Sequence, residues 1–394
     1  MIKTLKTFDL KNKTVLLRVD YNVPIENEKV ADDFRIRQTL PTIKHCLEAG
    51  AKLVISSHLG RPKGKKDSSL SLMPVGEALA DCLEMPIKFS SNCISEDAHD
   101  VTLGLKPGEI HMLENLRFHS EEIENDNDFS AKLAKHGDIF INDAFGSAHR
   151  SHASNVGVAK HFSRKGIGFL IENELNFLSK SLSKPARPLT LILGGAKIDT
   201  KINLIDHYIG MADKILIGGG MAFTLLKARG INVGESIVDQ SKILAASKLI
   251  NKAKSKKNLF LPKDVVCSKS IEDGSKHNTY DVTEIPSDEM GLDIGPKTIE
   301  SFSKHIVDSK TVVWNGPMGV FESNYFDKGT KEIASRIVSC TEKGLISIMG
   351  GGDTASALRK FNLDNKMTHL STGGGASIEL LSGKNLPAIF ALEV

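Results

Sequence analysis

Two lysines that follow a glycine pair at the middle of the chain are well suited to phosphate chemistry. The apolar run Leu189 to Leu193 ends at Gly194-Gly195, as a buried parallel strand does when it meets a tight turn. Lys197 and Lys201 follow at a spacing of four, which predicts that both ammonium groups lie on one face of a helix start. Backbone N–H groups there also point at an anion. The alternative is a glycine turn followed by two solvated lysines.

Three further glycine clusters follow short apolar runs in the second half and lead into helical patterns. They are Gly218 to Gly220, Gly350 to Gly352 and Gly373 to Gly375. Glycines let the backbone come close to a ligand and open a helix N-terminus to phosphate oxygens, so the set favours a mononucleotide site. Close packing between strand and helix is the alternative, above all for the Gly218 cluster. The chain contains neither the GxxxxGK[ST] motif of P-loop proteins nor a GxGxxG dinucleotide motif.

Two acidic residues stand beside these glycines. Asp353 directly follows Gly352, where a carboxylate close to phosphates is favoured if Mg²⁺ lies between them. Asp353 also suits the N-cap of the next helix, and the two roles are compatible. Glu322 follows the predicted strand and turn that begin at Val312, and it is a candidate acceptor for ribose hydroxyls.

Cationic residues follow the predicted strands of the first half. The strands are Val15 to Val19, Lys52 to Ser56, Ile110 to Leu113 and Ile139 to Ile141. Ligands bind at the carboxyl ends of strands in open parallel sheets, so the loops that follow are expected to converge on one crevice. The candidates there are Arg35, His58, Arg61, Arg117, His149, Arg150 and His152. Arginines grip carboxylates and phosphates with two hydrogen bonds, which predicts a small polyanion as ligand. Surface ion pairs are the alternative for each arginine alone, and carbonyl contacts for the histidines.

The totals exclude several classes of protein. A net charge of +3 over 394 residues predicts no general affinity for nucleic acid or an anionic membrane. The five cysteines are scattered without a CxxC pair, which argues against a disulfide framework or a zinc site. No apolar run approaches the roughly 18 residues of a membrane span, and the N-terminus does not resemble a signal peptide. We therefore expect a cytoplasmic protein.

Short strands alternate with helical patterns along the whole chain, which predicts an α/β protein with mostly parallel sheets. The predicted helices include Arg35 to Glu48, Leu72 to Leu83 and Phe129 to His136. An amphipathic helix is predicted over Lys165 to Leu182, and we expect the joint between two domains within it. The final stretch, Ala388 to Leu392, is predicted as one more strand or as a tail that packs back on a domain.

With these residues assembled, the chain resembles the bacterial type of phosphoglycerate kinase over essentially its full length. The motifs of the first half are RVDYNVP at Arg18 to Pro24, SHLGRP at Ser57 to Pro62, ENLRF at Glu114 to Phe118 and NDAFGSAHRSHAS at Asn142 to Ser154. Those of the second half are GGAKIDTKI at Gly194 to Ile202, GLDIGP at Gly291 to Pro296, WNGPMGVFE at Trp314 to Glu322, MGGGDT at Met349 to Thr354 and STGGGAS at Ser371 to Ser377. One departure is Thr200, where many members carry an acidic residue.

The resemblance implies two doubly wound, Rossmann-like domains joined by a hinge helix: residues 1–170 for phosphoglycerate, with the tail 378–394 packing back on them, and residues 171–377 for the nucleotide. It implies transfer of a phosphoryl group from 1,3-bisphosphoglycerate to ADP, giving 3-phosphoglycerate and ATP, with Mg²⁺, in line and after domain closure. It further implies a role in glycolysis and gluconeogenesis, a cytoplasmic location, and a monomer without nucleic-acid or membrane partners.

The resemblance also assigns residues by motif. The phosphoglycerate-binding set is Asp20, Asn22, Arg35, His58, Arg61, Arg117 and Arg150. The nucleotide-binding set is Lys201, Gly291, Glu322, Gly350, Gly351, Gly352 and Asp353, with Asp353 on the nucleotide-bound Mg²⁺. The set around the phosphoryl group during transfer is Arg35, Lys197, Gly373, Gly374 and Gly375.

Two other functions compete with this one. Another kinase that acts on a carboxylate would keep the second half and need a different anion pocket. A catalytically silent sensor of nucleotide or sugar phosphate would be indicated by loss of Arg35, Lys197, Lys201 or Asp353, and all four are present.

Overall fold

The computed structural model describes residues 2–180, 184–199 and 201–393, so Thr200 and the end of the predicted helix at Leu182 lie outside the described residues. The chain divides into two compact units. Unit 1 comprises Met1–Asn176 and Asn385–Val394, and unit 2 comprises Phe177–Lys384. Each contains a six-stranded parallel sheet, which confirms the predicted α/β class with two parallel sheets.

The sheet of unit 1 has β1 near its centre, in the order β5-β6-β4-β1-β7-β8. The strands of unit 1 are β1 Thr14–Arg18, β2 Ile25–Glu26, β3 Lys29–Val30, β4 Lys52–Ser56, β5 Lys88–Ser90, β6 Ile110–Leu113, β7 Ile139–Asn142 and β8 Lys165–Ile167; β2 and β3 form a separate hairpin. Val15 pairs with Leu53 on one side and with Ile139 on the other. These central strands are buried on both faces, which explains why their sequences are continuous apolar runs.

The helices of unit 1 alternate with these strands. They are Phe34–Glu48, Met73–Leu83, Glu96–Leu103, Glu121–Glu124, Asn127–Ala134, Phe169–Leu175 and Pro387–Phe390. The helix predicted from Phe129 begins two residues earlier because Asp126 caps it, accepting from the backbone N–H of Phe129 at 2.7 Å. The first long helix ends as predicted before Gly50, which has a φ of +73°.

At the ends of unit 1 the structure contradicts one prediction and decides between the two alternatives of another. Residues Lys165–Ile167 form a strand rather than a helix start, because they pair with β7 and complete the sheet edge. The helix begins only at Phe169 and continues as a π-helical turn over Asn176–Lys180. The last stretch is not a strand but a tail that packs on unit 1, the other alternative: it is helical over Pro387–Phe390, and the N–H of Ala388 donates to the carbonyl of Ala148 at 3.1 Å.

The sheet of unit 2 has the order β11-β10-β9-β15-β16-β17, with β12 to β14 in a small antiparallel sheet. The strands are β9 Leu189–Leu193, β10 Lys214–Ile217, β11 Leu259–Phe260, β12 Asp264–Ser268, β13 Asn278–Asp281, β14 Met290–Ile294, β15 Thr311–Asn315, β16 Ile346–Gly350 and β17 His369–Leu370. The helices are Ile202–Ile209, Met221–Ala228, Ile243–Lys254, Pro296–Val307, Lys328–Thr341, Gly352–Lys360 and Gly374–Leu381. Because β9, β15 and β16 are neighbours, the loops that follow them meet at one edge of the sheet.

Candidate active site

The loop after β1 meets the start of the first helix at the carboxyl edge of the unit 1 sheet. Arg35 Nη1 lies 3.1 Å from Asp20 Oδ1, and Arg35 also approaches the carbonyl of Asn22. The Asn22 side chain accepts from the N–H of Gly60 at 2.9 Å, which connects this loop to the one after β4. His58 lies in that same loop, with Nε2 3.8 Å from Asp20 Oδ1.

Arg117 extends this cluster from the loop after β6. Its Nη1 donates to the carbonyl of Gly60 at 2.7 Å, and its side chain is buried. Arg150 is close enough to Arg117 to repel it electrostatically, and it contacts His149 at 3.3 Å. Arg61 follows Gly60 in the loop after β4, and it is exposed. The structure therefore brings together six of the seven predicted phosphoglycerate residues and leaves Arg61 at the edge of the cluster.

The charges of the cluster are unbalanced in favour of the cations. Burial opposes ionisation of Asp20, but the Arg35 guanidinium and the other cationic neighbours hold the pKa of Asp20 at about 2. Burial and the repulsion from Arg150 and Arg18 lower the pKa of Arg117 to about 10. Arg117 Nε has no hydrogen-bond partner among the described residues. An anionic ligand would pair with this buried cation and accept from its spare donor.

Sequence reasoning missed Arg18, the last residue of β1. This arginine is fully buried, and its guanidinium contacts Ser154 Oγ at 2.7 Å, His58 Nδ1 at 3.0 Å and the carbonyl of Val19. The available signal was a charged residue at the end of an apolar strand run, which is uncommon unless the charge is paired.

The two lysines of unit 2 do not lie on one face of a helix. Both precede the helix Ile202–Ile209; Lys197 is exposed, whereas Lys201 is 7% exposed and donates to the carbonyl of Gly194. The prediction failed because Gly195, with a φ of +83°, turns the chain before the helix begins. Burial lowers the pKa of Lys201 to about 8, and the nearby Asp353 carboxylate acts against this shift.

The glycine clusters have different structural roles. A Cβ atom on Gly218 would come within 2.6 Å of Met318 Sδ, and one on Gly219 within 2.4 Å of the Gly195 nitrogen. These glycines are required for packing, in agreement with the alternative given for that cluster. A Cβ atom on Gly352 would meet nothing within 4 Å. The start of the helix Gly352–Lys360 therefore faces open space, as an anion site requires.

Two cavities within unit 2 share Gly195, Ala196 and Asp353. One, of about 400 Å³, is lined by Lys197, Lys201, Gly351, Gly352, Asp353 and Gly374. The other, of about 470 Å³, is more apolar and includes Gly291, Glu322, Phe223 and Ile237. A polar cavity continuing into an apolar one matches the phosphates and the base of a nucleotide.

The residues present fit a nucleotide-borne Mg²⁺ better than a protein-held metal. Within residues 2–180, 184–199 and 201–393, no group of three or more His, Cys, Asp or Glu side chains is placed to hold a metal ion. Asp353 is a single exposed carboxylate in the first turn of its helix, at the cavity that Lys201 lines. Mg²⁺ typically takes one or two carboxylates and completes its shell with phosphates and water, so one carboxylate suffices here.

No helix in the described parts of the chain has the length and apolar character needed to cross a membrane.

The sequence model of the phosphoglycerate kinase family matches residues 5–384. Phosphoglycerate kinase of Prosthecochloris aestuarii is 48% identical over 393 residues, covering 99% of each chain. That of Thermosipho africanus is 47% identical, covering 99% of this chain and 97% of the relative.

Solved structures agree with these matches. The structure of phosphoglycerate kinase from Coxiella burnetii superposes with a TM-score of 0.86 at 38% identity, covering 100% of this chain and 99% of the other. The crystal structure of the kinase from Pyrococcus horikoshii gives a TM-score of 0.85 at 30% identity, with 100% and 98% covered. The family match, the identities over nearly the full length and the two cation-rich sites lead to one conclusion: the chain belongs to the phosphoglycerate kinase family.

Proposed function

We propose that this chain transfers a phosphoryl group between the carboxyl group of 3-phosphoglycerate and ADP or ATP, in the reversible glycolytic reaction that forms ATP. The observation that carries the proposal is that each unit has a different kind of binding site. Unit 1 gathers arginines and His58 at the end of its sheet, and unit 2 contains a phosphate-sized polar cavity beside an apolar one. Together they offer a site for a small polyanion and a site for a nucleotide.

Asp20, Asn22, Arg35, His58, Arg61, Arg117 and Arg150 are proposed to bind the phosphoglycerate. The contacts support this, because they bring the cationic side chains of loops after different strands together at one edge of the sheet. Arg61 would join only through its exposed position in the loop of Gly60. The residue range 1–170 for this domain stays a prediction, as does closure of the domains before in-line transfer.

Lys201, Gly291, Glu322, Gly350 to Gly352 and Asp353 are proposed to bind the nucleotide. All except Gly350 line one of the two cavities of unit 2. Asp353 would hold Mg²⁺ through the phosphates, and the ion would neutralise phosphate charge. The range 171–377 assigned to this domain stays a prediction.

Lys197, Arg35 and the helix start at Gly373 to Gly375 are proposed to stabilise the phosphoryl group during transfer. An acyl phosphate already has a good leaving group, so catalysis needs alignment and charge stabilisation rather than a covalent intermediate or a strong base. Cationic side chains and backbone N–H groups meet that need. Of the three glycines, Gly374 lines the cavity that contains Lys197.

A coupled assay with 3-phosphoglycerate, ATP and Mg²⁺ tests the proposal. We expect ADP formation that depends on all three, with no activity when acetate or aspartate replaces 3-phosphoglycerate. Turnover of another carboxylate at a comparable rate would favour a different carboxylate kinase. Binding of both ligands without turnover would favour the sensor.

A further inference from the structure

Arg18 is a fully buried arginine that contacts His58, one of the proposed substrate residues. Its side chain is 0% exposed, and its guanidinium nitrogens point at three different groups. Nε donates to Ser154 Oγ at 2.7 Å, Nη1 donates to the carbonyl of Val19, and Nη2 lies 3.0 Å from His58 Nδ1. Each contact is to an uncharged atom on a different part of the loop cluster.

The contact with His58 determines where the imidazole carries its proton. A guanidinium has five N–H donors and no acceptor, and it stays protonated in proteins. His58 Nδ1 must therefore accept from Arg18 Nη2. A neutral imidazole has one accepting and one donating nitrogen, so the proton of His58 resides on Nε2.

His58 Nε2 lies near Asp20, but its N–H does not donate to that carboxylate. It lies 3.8 Å from Asp20 Oδ1, which is too long for a hydrogen bond, and that oxygen is already paired with Arg35 at 3.1 Å. An oxygen of a bound ligand could therefore accept from Nε2–H.

The charge of Arg18 is balanced by Glu122 through Ser154. Ser154 donates to the carboxylate twice, from Oγ to Oε1 at 2.6 Å and from the backbone N–H to Oε2 at 2.8 Å. Glu122 is fully buried on its short helix; burial lowers the pKa of Arg18, and the Glu122 carboxylate acts against this shift. This chain of contacts from Arg18 through Ser154 to Glu122 explains why a buried carboxylate is present here, since either buried charge alone would be costly.

We propose that Arg18 is a positioning residue that fixes His58 in the Nε2–H tautomer, so that His58 meets the phosphoglycerate as a neutral hydrogen-bond donor rather than as an imidazolium. Arg18 acts through His58, and Ser154 and Glu122 hold Arg18 in place. Because this role rests on the proposed phosphoglycerate kinase function, the acceptor is a carboxylate or hydroxyl oxygen of that substrate. In agreement, burial and the neighbouring Arg18, Arg117 and Arg35 lower the pKa of His58, against the pull of Asp20.

Nitrogen NMR of the full-length, histidine-labelled protein tests the tautomer without any assay. The His58 signals are identified by their loss in His58→Gln. We expect an unprotonated Nδ1 and a protonated Nε2, with no titration between about pH 6 and 8, where an ordinary histidine changes charge. A protonated Nδ1, or an imidazolium within that range, would overturn the role of Arg18.

Substitutions at Arg18 connect the tautomer with binding. Arg18→Met removes the donor, and we expect both tautomers of His58 and a rise in KM for 3-phosphoglycerate on the order of tenfold, with KM for ATP unchanged. Arg18→Lys keeps a cationic donor and should restore the Nε2–H tautomer and most of the affinity. A normal tautomer and normal KM in Arg18→Met would contradict the proposal; if that variant does not fold, the parent spectrum decides.

The activity assay and the NMR spectrum test the proposed function and the role of Arg18 separately. An inactive parent protein would overturn the proposed function and with it the substrate role of His58. An active parent whose His58 carries its proton on Nδ1 would overturn only the role of Arg18.

Discussion

Lys197 and Lys201 line one cavity but differ in their burial and in their hydrogen bonds. Lys201 is buried, tied to the carbonyl of Gly194, and has a pKa lowered by burial to about 8. Lys197 is exposed at the rim of the same cavity. A fixed lysine suits a phosphate that stays bound before and after transfer. An exposed lysine without such a tie suits charge that develops only during transfer, because it can adjust to contact the phosphoryl group at that stage.

Lys197→Ala is expected to act mainly on turnover. If Lys197 contacts oxygens that gain charge only in the transition state, its loss should lower kcat by roughly 10²–10³, about 3 to 4 kcal/mol, with little change in KM. Lys201→Ala is the matched comparison and should mostly raise KM for the nucleotide. Steady-state kinetics on both variants measure the difference. A kcat for Lys197→Ala within a few-fold of the parent, or a change in KM alone, would remove Lys197 from the transition-state contacts.

Asp353→Asn should impair turnover and leave the fold intact. The amide is nearly isosteric, but it lacks the charge proposed to hold Mg²⁺ near the phosphates. The exposed carboxylate also favours its helix N-terminus by no more than about 1 kcal/mol, so thermal unfolding should change little. Activity measured over a Mg²⁺ titration, beside a melting curve, checks both statements. Full activity at ordinary Mg²⁺ would show that Asp353 lies outside the site.

At the scale of the element, the helix Gly352–Lys360 shows how one glycine cluster serves two purposes. Gly351, with a φ of +101°, forms the turn, and a Cβ atom there would approach Asn315 Nδ2 at 3.0 Å. Gly352 begins the helix and faces open space. Glycine is thus needed at position 351 for its positive φ, and at position 352 to leave room for the ligand that the cavity would hold.

Gly352→Ala separates binding from stability. The added methyl group enters the open space in front of the helix start, so KM for the nucleotide should rise by tenfold or more, on the order of one lost charge-assisted contact. The melting temperature should stay the same or rise slightly, because alanine favours a helix. Gly351→Ala should instead destabilise the protein through its left-handed φ. Gly104→Ala, at a helix end in unit 1 with a φ of −76°, is the control and should alter neither. An unchanged nucleotide KM in Gly352→Ala would contradict a phosphate at this helix start.

The strands were predictable from the sequence because buried parallel strands read as apolar runs that end at glycines or charged loops. Leu189–Leu193 and Lys52–Ser56 have the predicted bounds. Lys165–Ile167 was missed because its strand character comes from pairing with β7 and not from its own composition. Likewise, the positions of Arg18 and Lys201 depend on burial and on a turn at Gly195, which no local pattern reveals.

At the scale of the whole molecule, the two units differ in how their buried groups bind protons. Unit 1 contains His111, His136 and His152, whose pKa values burial lowers to about 4, and burial also lowers the pKa of His58 and that of His119. Two buried carboxyl groups act the other way, since burial raises the pKa of Asp143 to about 7 and also raises that of Glu122. In unit 2, His305 is a partly buried histidine with a lowered pKa, and burial raises the pKa of Asp293 to about 8.

These shifts predict that mild acid destabilises unit 1 first. A histidine kept neutral by burial stabilises the fold fully above its unfolded pKa of about 6.5, and this stability is lost as the pH falls toward the folded value of about 4. A carboxyl group with a raised pKa instead stabilises the fold as the pH falls through the same range, but the five histidines of unit 1 outnumber its two opposing carboxyl groups. Each net proton changes the free energy of unfolding by about 1.4 kcal/mol per pH unit.

The single tryptophan makes the two units separable in one experiment. Trp314 is fully buried in unit 2, so its fluorescence follows unit 2, whereas far-ultraviolet circular dichroism follows both units. Between about pH 7 and 5, where the histidines take up protons in the unfolded chain, the urea transition seen by dichroism should begin at lower urea, while the Trp314 midpoint moves less. The double substitution His111→Gln and His136→Gln should reduce the difference between the two acid-induced shifts, because it removes two of the protons bound only on unfolding. If the Trp314 midpoint falls as far as the dichroism onset, the acid sensitivity does not arise from the histidines of unit 1.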